Sequence, residues 1–211
     1  MIATSAKPGD ALEQLHQRML LQLRDSCSSR LELWHLDLAC FDSVLQFVQR
    51  FRGSGRDLNL LINNAGQMYA PFRVTDDGFE SHWQVNYLSH CLLIALLLPS
   101  LQSTAKRAKR QSRIINVASS THYSRNLTFD DLNGFHLYSP FHAYAQSKLA
   151  QIMFTFKLHE LLNAGAVARD FGSYVSVNCL HPGVAKTELY ENVWWVKAFP
   201  FVADLLFRVS E

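Results

Sequence analysis

Short apolar runs that end in polar turns alternate with segments of helical period, and no other feature restricts the fold of this chain as strongly. The runs are Leu31–Leu36, Leu58–Ile62, Arg113–Ala118 and Tyr174–Leu180. Their length and bounding turns suit strands buried in a parallel sheet. Between them, Gly9–Arg24 spaces Leu12, Leu15, Met19 and Leu23 three to four residues apart. Asp42 can cap a second helix that carries Val44, Phe47, Val48 and Phe51 on one face, and Gly53-Ser54-Gly55 breaks it. A long helix is expected over about Asp77–Leu98, with Pro99 directly behind it, and another from about Phe141 to Asn163. Strand–helix alternation with short connections predicts an α/β domain whose parallel sheet is covered on both faces.

At 211 residues the chain suits one such domain, residues 1–211, rather than two. Its net charge of +2 gives no bias towards nucleic acid, and the basic run Lys106–Arg113 reads as a solvated loop or helix end. Cys27, Cys40, Cys91 and Cys179 are scattered, without CxxC spacing or nearby histidine pairs. They read as reduced thiols, and no metal site is expected. The N-terminus lacks the basic start and apolar run of a signal peptide. Leu92–Leu98 is strongly apolar but short, which fits a buried core helix better than a membrane span. Asn126-Leu127-Thr128 fits the glycosylation triplet by chance.

In parallel sheets, ligands sit beyond the carboxyl ends of the strands. Asp37, Asn63–Gly66, Ser119 and Pro182-Gly183 all fall there. The loop from Ser119 to Pro140 is longer than most connections, a length often tied to function. It leads into Tyr144-Ala-Gln-Ser-Lys148, where a phenol and an ammonium share one helix face. The ammonium favours the ionised phenol and lets it exchange a proton near neutral pH. Bringing a phenol from about 10 to about 7 takes about 4 kcal/mol, more than one lysine supplies, and a nearby nicotinamide cation would add to it. The chemistry indicated is hydride transfer at a carbonyl or alcohol.

An ordered set of motifs accompanies that pentad. It comprises Leu60-Leu61-Ile62-Asn63-Asn64-Ala65-Gly66, Asp77-Gly78-Phe79-Glu80, Val85-Asn86-Tyr87-Leu88 and Arg113-Ile114-Ile115-Asn116-Val117-Ala118-Ser119-Ser120. Tyr138-Ser139-Pro140, His181-Pro182-Gly183-Val184 and Thr187-Glu188-Leu189-Tyr190 complete it. In that order the set resembles the short-chain dehydrogenase/reductases, within their retinol-dehydrogenase-like branch and closest to the X-linked-type dehydrogenase/reductase proteins. The resemblance implies a Rossmann-like doubly wound sheet. It implies Tyr144 as general acid/base, Lys148 as the group that lowers its pKa and holds the nicotinamide ribose, and Ser119, rather than Ser120, as donor to the substrate oxygen. Asn86 would bind a water that relays protons towards Lys148. Asp37 and Leu38 would contact the adenine, with Asn63, Ala65 and Gly66 against the adenosine ribose and central strands. Pro182, Gly183, Val184 and Thr187 would meet the carboxamide and phosphates. His122 and His181 read as loop and strand-end residues.

The family's first strand and its TGxxxGxG turn, which cradles the pyrophosphate at a helix N-terminus, have no counterpart here. Met1–Thr4 matches the end of the family's second strand, so an open gap is expected between the family's second and fourth strands, with unpaired ladders on both sides. The family's C-terminal strand is also unmatched, which reads as a truncated chain. The residues after Met1–Thr4 include Ser5 and Lys7, which suit the 2′-phosphate of NADP, with NAD as the alternative. The resemblance further implies a lipid-soluble substrate such as a retinoid, steroid or polyprenoid alcohol, and pairing of two copies through the helices near Asp77–Leu98 and Phe141–Asn163. It places the protein in the cytoplasm or on the cytosolic face of the endoplasmic reticulum or lipid droplets. Residues 187–211 read as a substrate lid facing the membrane. Their stretch Val193–Phe207 carries Trp194, Trp195, Phe199 and Phe201, residues favoured at membrane interfaces. The alternative function is a non-catalytic remnant with a binding or regulatory role.

Overall fold

The computed structural model describes residues 1–22, 31–164 and 174–183. Five strands and four helices follow in order: β1 (Ile2–Ser5), α1 (Gly9–Gln22), β2 (Glu32–His35), α2 (Phe41–Gly53), β3 (Leu60–Asn63), α3 (Ser81–Ala108), β4 (Ser112–Val117), α4 (Pro140–Asn163) and β5 (Val175–Leu180). All strand pairs are parallel. Ile2 lies opposite Glu32 in the β1–β2 pair, while Leu60 faces Arg113 and Arg113 faces Ser176 in the β3–β4–β5 sheet.

The expected gap is present. The two sheets share no ladder. A cleft of about 630 Å³ lies between them, lined by Ile2 and Thr4 on one side and by Leu60, Ile62 and Asn63 on the other. Two apolar clusters bridge it at depth. Trp34 of β2 and Leu36 just after it pack with Val44, Phe47, Val48 and Phe51 of α2 and with Leu93 and Leu97 of α3. Ile94 and Leu101, on the neighbouring face of α3, pack with Ile114, Val175 and Val177. The long helix therefore joins both sheets, each fully buried leucine contributing about 1.5–3 kcal/mol of transfer free energy.

Two helix boundaries differ from the sequence expectation. Cys40, not Asp42, occupies the N-cap of α2 and makes no side-chain cap bond. The orphan N–H of Phe41 is instead accepted by Asp77 Oδ2 at 2.8 Å, a partner 36 residues away that local pattern cannot reveal. Asp42 sits in the first turn, where its charge still suits the helix dipole. The long helix begins at Ser81, capped by Glu80, whose carboxylate accepts the Trp83 N–H. It also passes through Pro99 and ends at Lys109 in left-handed geometry. Proline removes the bond to the carbonyl of residue 95. Ala95 and Pro99 both lie on the solvent side, so water can satisfy that carbonyl, and the Arg52 guanidinium takes the adjoining carbonyl of Leu96. This helix is long and apolar enough to cross a membrane, but half of its most apolar window is buried in the fold, as a core helix would be.

Leu60 and Ile62 of β3 are 47% and 53% exposed, although they sit on an inner strand pattern. An open edge carrying apolar side chains templates association. Leu60→Lys combined with Ile62→Lys is expected to slow aggregation in light scattering while changing urea stability by no more than about 0.5 kcal/mol. An unchanged aggregation rate would show that this edge is not the associating surface.

Candidate active site

All described strands end on the same side, and the polar residues that follow them gather there. Tyr144 and Lys148 lie on the buried face of α4, each only 3% exposed. Lys148 Nζ stands 5.8 Å from the Tyr144 ring centroid. It donates to the Val117 carbonyl at 2.9 Å and to Gln151 Oε1 at 3.0 Å, which tie the ammonium to the end of β4. Burial lowers its pKa to about 8. Ser119 follows β4 in extended conformation, and the turn behind it packs against α4. Its Oγ accepts from Thr121 N at 3.3 Å and Thr121 Oγ1 at 3.0 Å, which leaves the hydroxyl proton to donate.

Asn86 lies in a π-turn, Gln84–Leu88, inside α3, a distortion common at functional sites. Its amide accepts from Gln67 N at 2.9 Å and donates to Gln67 O at 3.0 Å and Ser147 Oγ at 2.9 Å. Asn86 thus fixes the backbone beyond β3 and couples α3 to α4. Gly66 is required beside it. A Cβ there would stand 3.0 Å from Asn86 Oδ1 and 3.6 Å from Lys148 Nζ.

Sequence reasoning missed the polar support beneath these groups. Gln151 bridges Lys148 to His90, with its Nε2 3.2 Å from His90 Nδ1, and the same ring nitrogen lies 3.0 Å from the Asn86 carbonyl. Burial, with the Lys148 charge, pushes the His90 pKa down to about 3, so the imidazole is neutral. The available signal was helical spacing. Ser147, Gln151 and Thr155 continue the buried stripe of Tyr144 and Lys148 at steps of three and four.

The expected cofactor residues separate into two groups. Ala65, Leu38 and Asn63 line the cleft, and Gly66 stands beside Asn86 and Lys148. Asp37 closes its own turn, its Oδ1 accepting from Ala39 N at 2.8 Å. The Asn63 amide is turned into the sheet, donating to Asn116 Oδ1 at 2.8 Å, so only its backbone side faces the cleft. Pro182 and Gly183 follow β5, Gly183 at φ +81°. Val184, Thr187 and segment 187–211 lie outside the described residues.

These surroundings fit the nicotinamide end of a dinucleotide. The Lys148 ammonium is held at the end of β4 beside the Tyr144 ring, and Gln67 Nε2 is buried with no partner among the described residues, a donor available to a ligand.

Residues 9–195 match the family model for short chain dehydrogenase. The chain is similar to polyprenol dehydrogenase of Homo sapiens, 43% identical over 189 residues that cover 89% of this chain and 55% of that protein. It is also similar to retinol dehydrogenase 13 of Homo sapiens, 44% identical over 156 residues, 74% of this chain and 43% of that protein. The chain thus spans about half the length of these curated relatives. Among solved structures, the Pseudomonas aeruginosa RhlG/NADP complex shares the fold at TM-score 0.64 and 20% identity, over 92% of this chain and 66% of that one. Motif order, site geometry and the family match agree that the chain belongs to the short-chain dehydrogenase family.

Proposed function

We propose that this chain carries the acid–base machinery of an oxidoreductase acting between NADP(H) and an apolar alcohol or its carbonyl. The observation that carries this reading is the buried Lys148 ammonium, 5.8 Å from the Tyr144 ring, at the carboxyl ends of the strands. The relatives named for polyprenol and retinol support a retinoid, steroid or polyprenoid substrate. The nicotinamide cofactor would supply or accept the hydride. The chain's own residues handle the proton. Tyr144 gives it to the carbonyl oxygen in reduction and removes it from the alcohol in oxidation. Ser119 holds that oxygen, and Lys148 favours the phenolate. Asn86 orders the Gln67 backbone beside them and would hold the relay water.

The preference for NADP(H) over NAD(H) rests on Ser5 at the end of β1 and Lys7 beyond it, where Ser5 Oγ accepts the Lys7 N–H at 3.2 Å. The test is spectrophotometric turnover with retinoid, steroid and polyprenoid alcohols, using each cofactor in turn. No turnover with any of them would remove the catalytic reading for these residues by themselves.

A second reading, a non-catalytic protein with a binding or regulatory role, is favoured by the cleft that separates the two sheets. Titration with NADPH discriminates. Micromolar binding supports the enzyme, and absence of binding supports the second reading.

Substrates of this kind partition into membranes, so the protein would work at a cytosolic membrane surface, on the endoplasmic reticulum or lipid droplets, with Val193–Phe207 as its contact. It is expected to sediment with liposomes, and Trp194→Ala with Trp195→Ala to weaken that by about tenfold. Sedimentation unaltered by the double substitution would place the contact elsewhere. Pairing of two copies through α3 and α4 is supported by Met153 and Phe156, exposed on α4.

A further inference from the structure

Tyr69 has an unusual backbone. It is not glycine, yet its φ is +55°, a left-handed conformation that persists only where the surroundings enforce it. The enforcement is visible one residue on. Ala70 is held at both of its backbone polar groups: its N–H donates to His82 Nε2 at 3.2 Å, and its carbonyl accepts from the Tyr138 hydroxyl at 2.7 Å. Each of those side chains is itself fixed. His82 is fully buried, and because its Nε2 accepts from Ala70, its Nδ1 carries the proton and donates to Glu80 Oε1 at 2.8 Å. Glu80 is 1% exposed. Its other oxygen caps α3 through Trp83 N at 2.9 Å, and its own N–H donates to Asn133 Oδ1 at 2.9 Å. The Tyr138 ring packs against Phe72 with centroids 5.0 Å apart. The start of α3, the loop before α4 and the segment after β3 therefore converge on the backbone of a single residue, Ala70.

Anchoring Ala70 fixes the backbone from which the Tyr69 ring projects. The ring meets Tyr144 at a centroid distance of 5.8 Å and an interplanar angle of 85°, edge to face, and it also meets Phe141 at 5.8 Å. The positive edge of one ring against the negative face of the other favours this arrangement over other orientations.

We propose that Tyr69, locked by the Glu80–His82–Tyr138 clamp on Ala70, is a positioning residue that fixes the orientation of the Tyr144 ring. The inference rests on the reading of Tyr144 as the acid/base, but its geometry does not. Lys148 controls the charge at the phenol from one turn along α4, whereas Tyr69 controls the ring's angle from outside the helix. The clamp has a further consequence. Tyr138 and Glu80 lie in different segments, so a disturbance in the long loop before α4 reaches Tyr144 through Ala70 without touching Lys148.

The test uses the 211-residue chain labelled with ring-13C tyrosine, the Tyr144 resonance being assigned by Tyr144→Phe. Tyr138→Phe removes one hydroxyl and retains the ring on Phe72. Tyr69→Leu removes the aromatic edge and leaves the clamp. Both are expected to shift and broaden the Tyr144 ring signal, while the exposed Tyr123 signal stays in place. An unmoved Tyr144 signal in both variants overturns the proposal. So does equal movement of every tyrosine signal, which marks general loosening. Turnover is measured alongside. Both variants should lower kcat about tenfold with the NADPH Kd unchanged. An unchanged kcat in an active parent also overturns the proposal. A parent with no turnover counts against the proposed function, and the Tyr144 signal then decides the positioning role by itself.

Discussion

Tyr144→Phe is expected to lower kcat by at least about 10²-fold, with NADPH affinity changed less than about threefold. The substitution removes one oxygen from a buried ring and leaves its packing against Tyr69 intact. The proton that must reach or leave the substrate oxygen then has no donor of suitable strength. Ser119 still offers its hydroxyl, but a serine hydroxyl is a far weaker acid than a phenol beside an ammonium. The factor corresponds to about 2.7 kcal/mol of transition-state stabilisation. A loss in kcat with unchanged cofactor binding assigns the phenol to the chemical step, whereas a loss that follows cofactor binding makes it a structural residue. Turnover that survives the substitution excludes Tyr144 as the acid/base.

Much of the fold was legible because parallel strands buried on both faces leave short apolar runs with little else to become. Leu31–Leu36 and Tyr174–Leu180 each contain an observed strand, Leu58–Ile62 and Arg113–Ala118 each miss one end of theirs by a residue, and Met1–Thr4 contains most of β1. What escaped were features decided at long range. The Asp77 carboxylate reaches the N-terminus of α2 from 36 residues away and relieves Cys40 of the capping role. Pro99 fails to stop α3 because the carbonyl it orphans points to water, a fact about the far face of the helix rather than about proline.

The site divides along the same line. Tyr144, Lys148, Ser119 and Asn86 were legible as candidates because a motif gives type, spacing and order together. Gln151, His90 and the Ala70 clamp were not, since each becomes meaningful only when α3 and α4 lie side by side. Asn63 shows the opposite limit. Its position in the motif points to a ligand, while its amide is spent on a sheet ladder through Asn116 to Thr155.

The largest stability effect is expected from Lys148. Its pKa falls from 10.5 to about 8 on folding because burial disfavours the ammonium. The sign follows from proton counting. Below about pH 8 both states are protonated, and the folded state carries the full penalty of about 3 kcal/mol. Between about 8 and 10.5 the unfolded chain binds more protons than the folded one, so stability rises with pH. Above that window both forms are neutral and the penalty is gone. Urea unfolding should therefore show a gain of about 2 kcal/mol from pH 7.5 to 9.5 attributable to this residue. Lys148→Met removes the titrating group and should flatten that rise. It also leaves the Val117 carbonyl and Gln151 Oε1 without a donor, so the absolute stability of the variant mixes two effects and the slope is the quantity to read. If wild type and variant gain equally over the window, the lysine is solvated in solution.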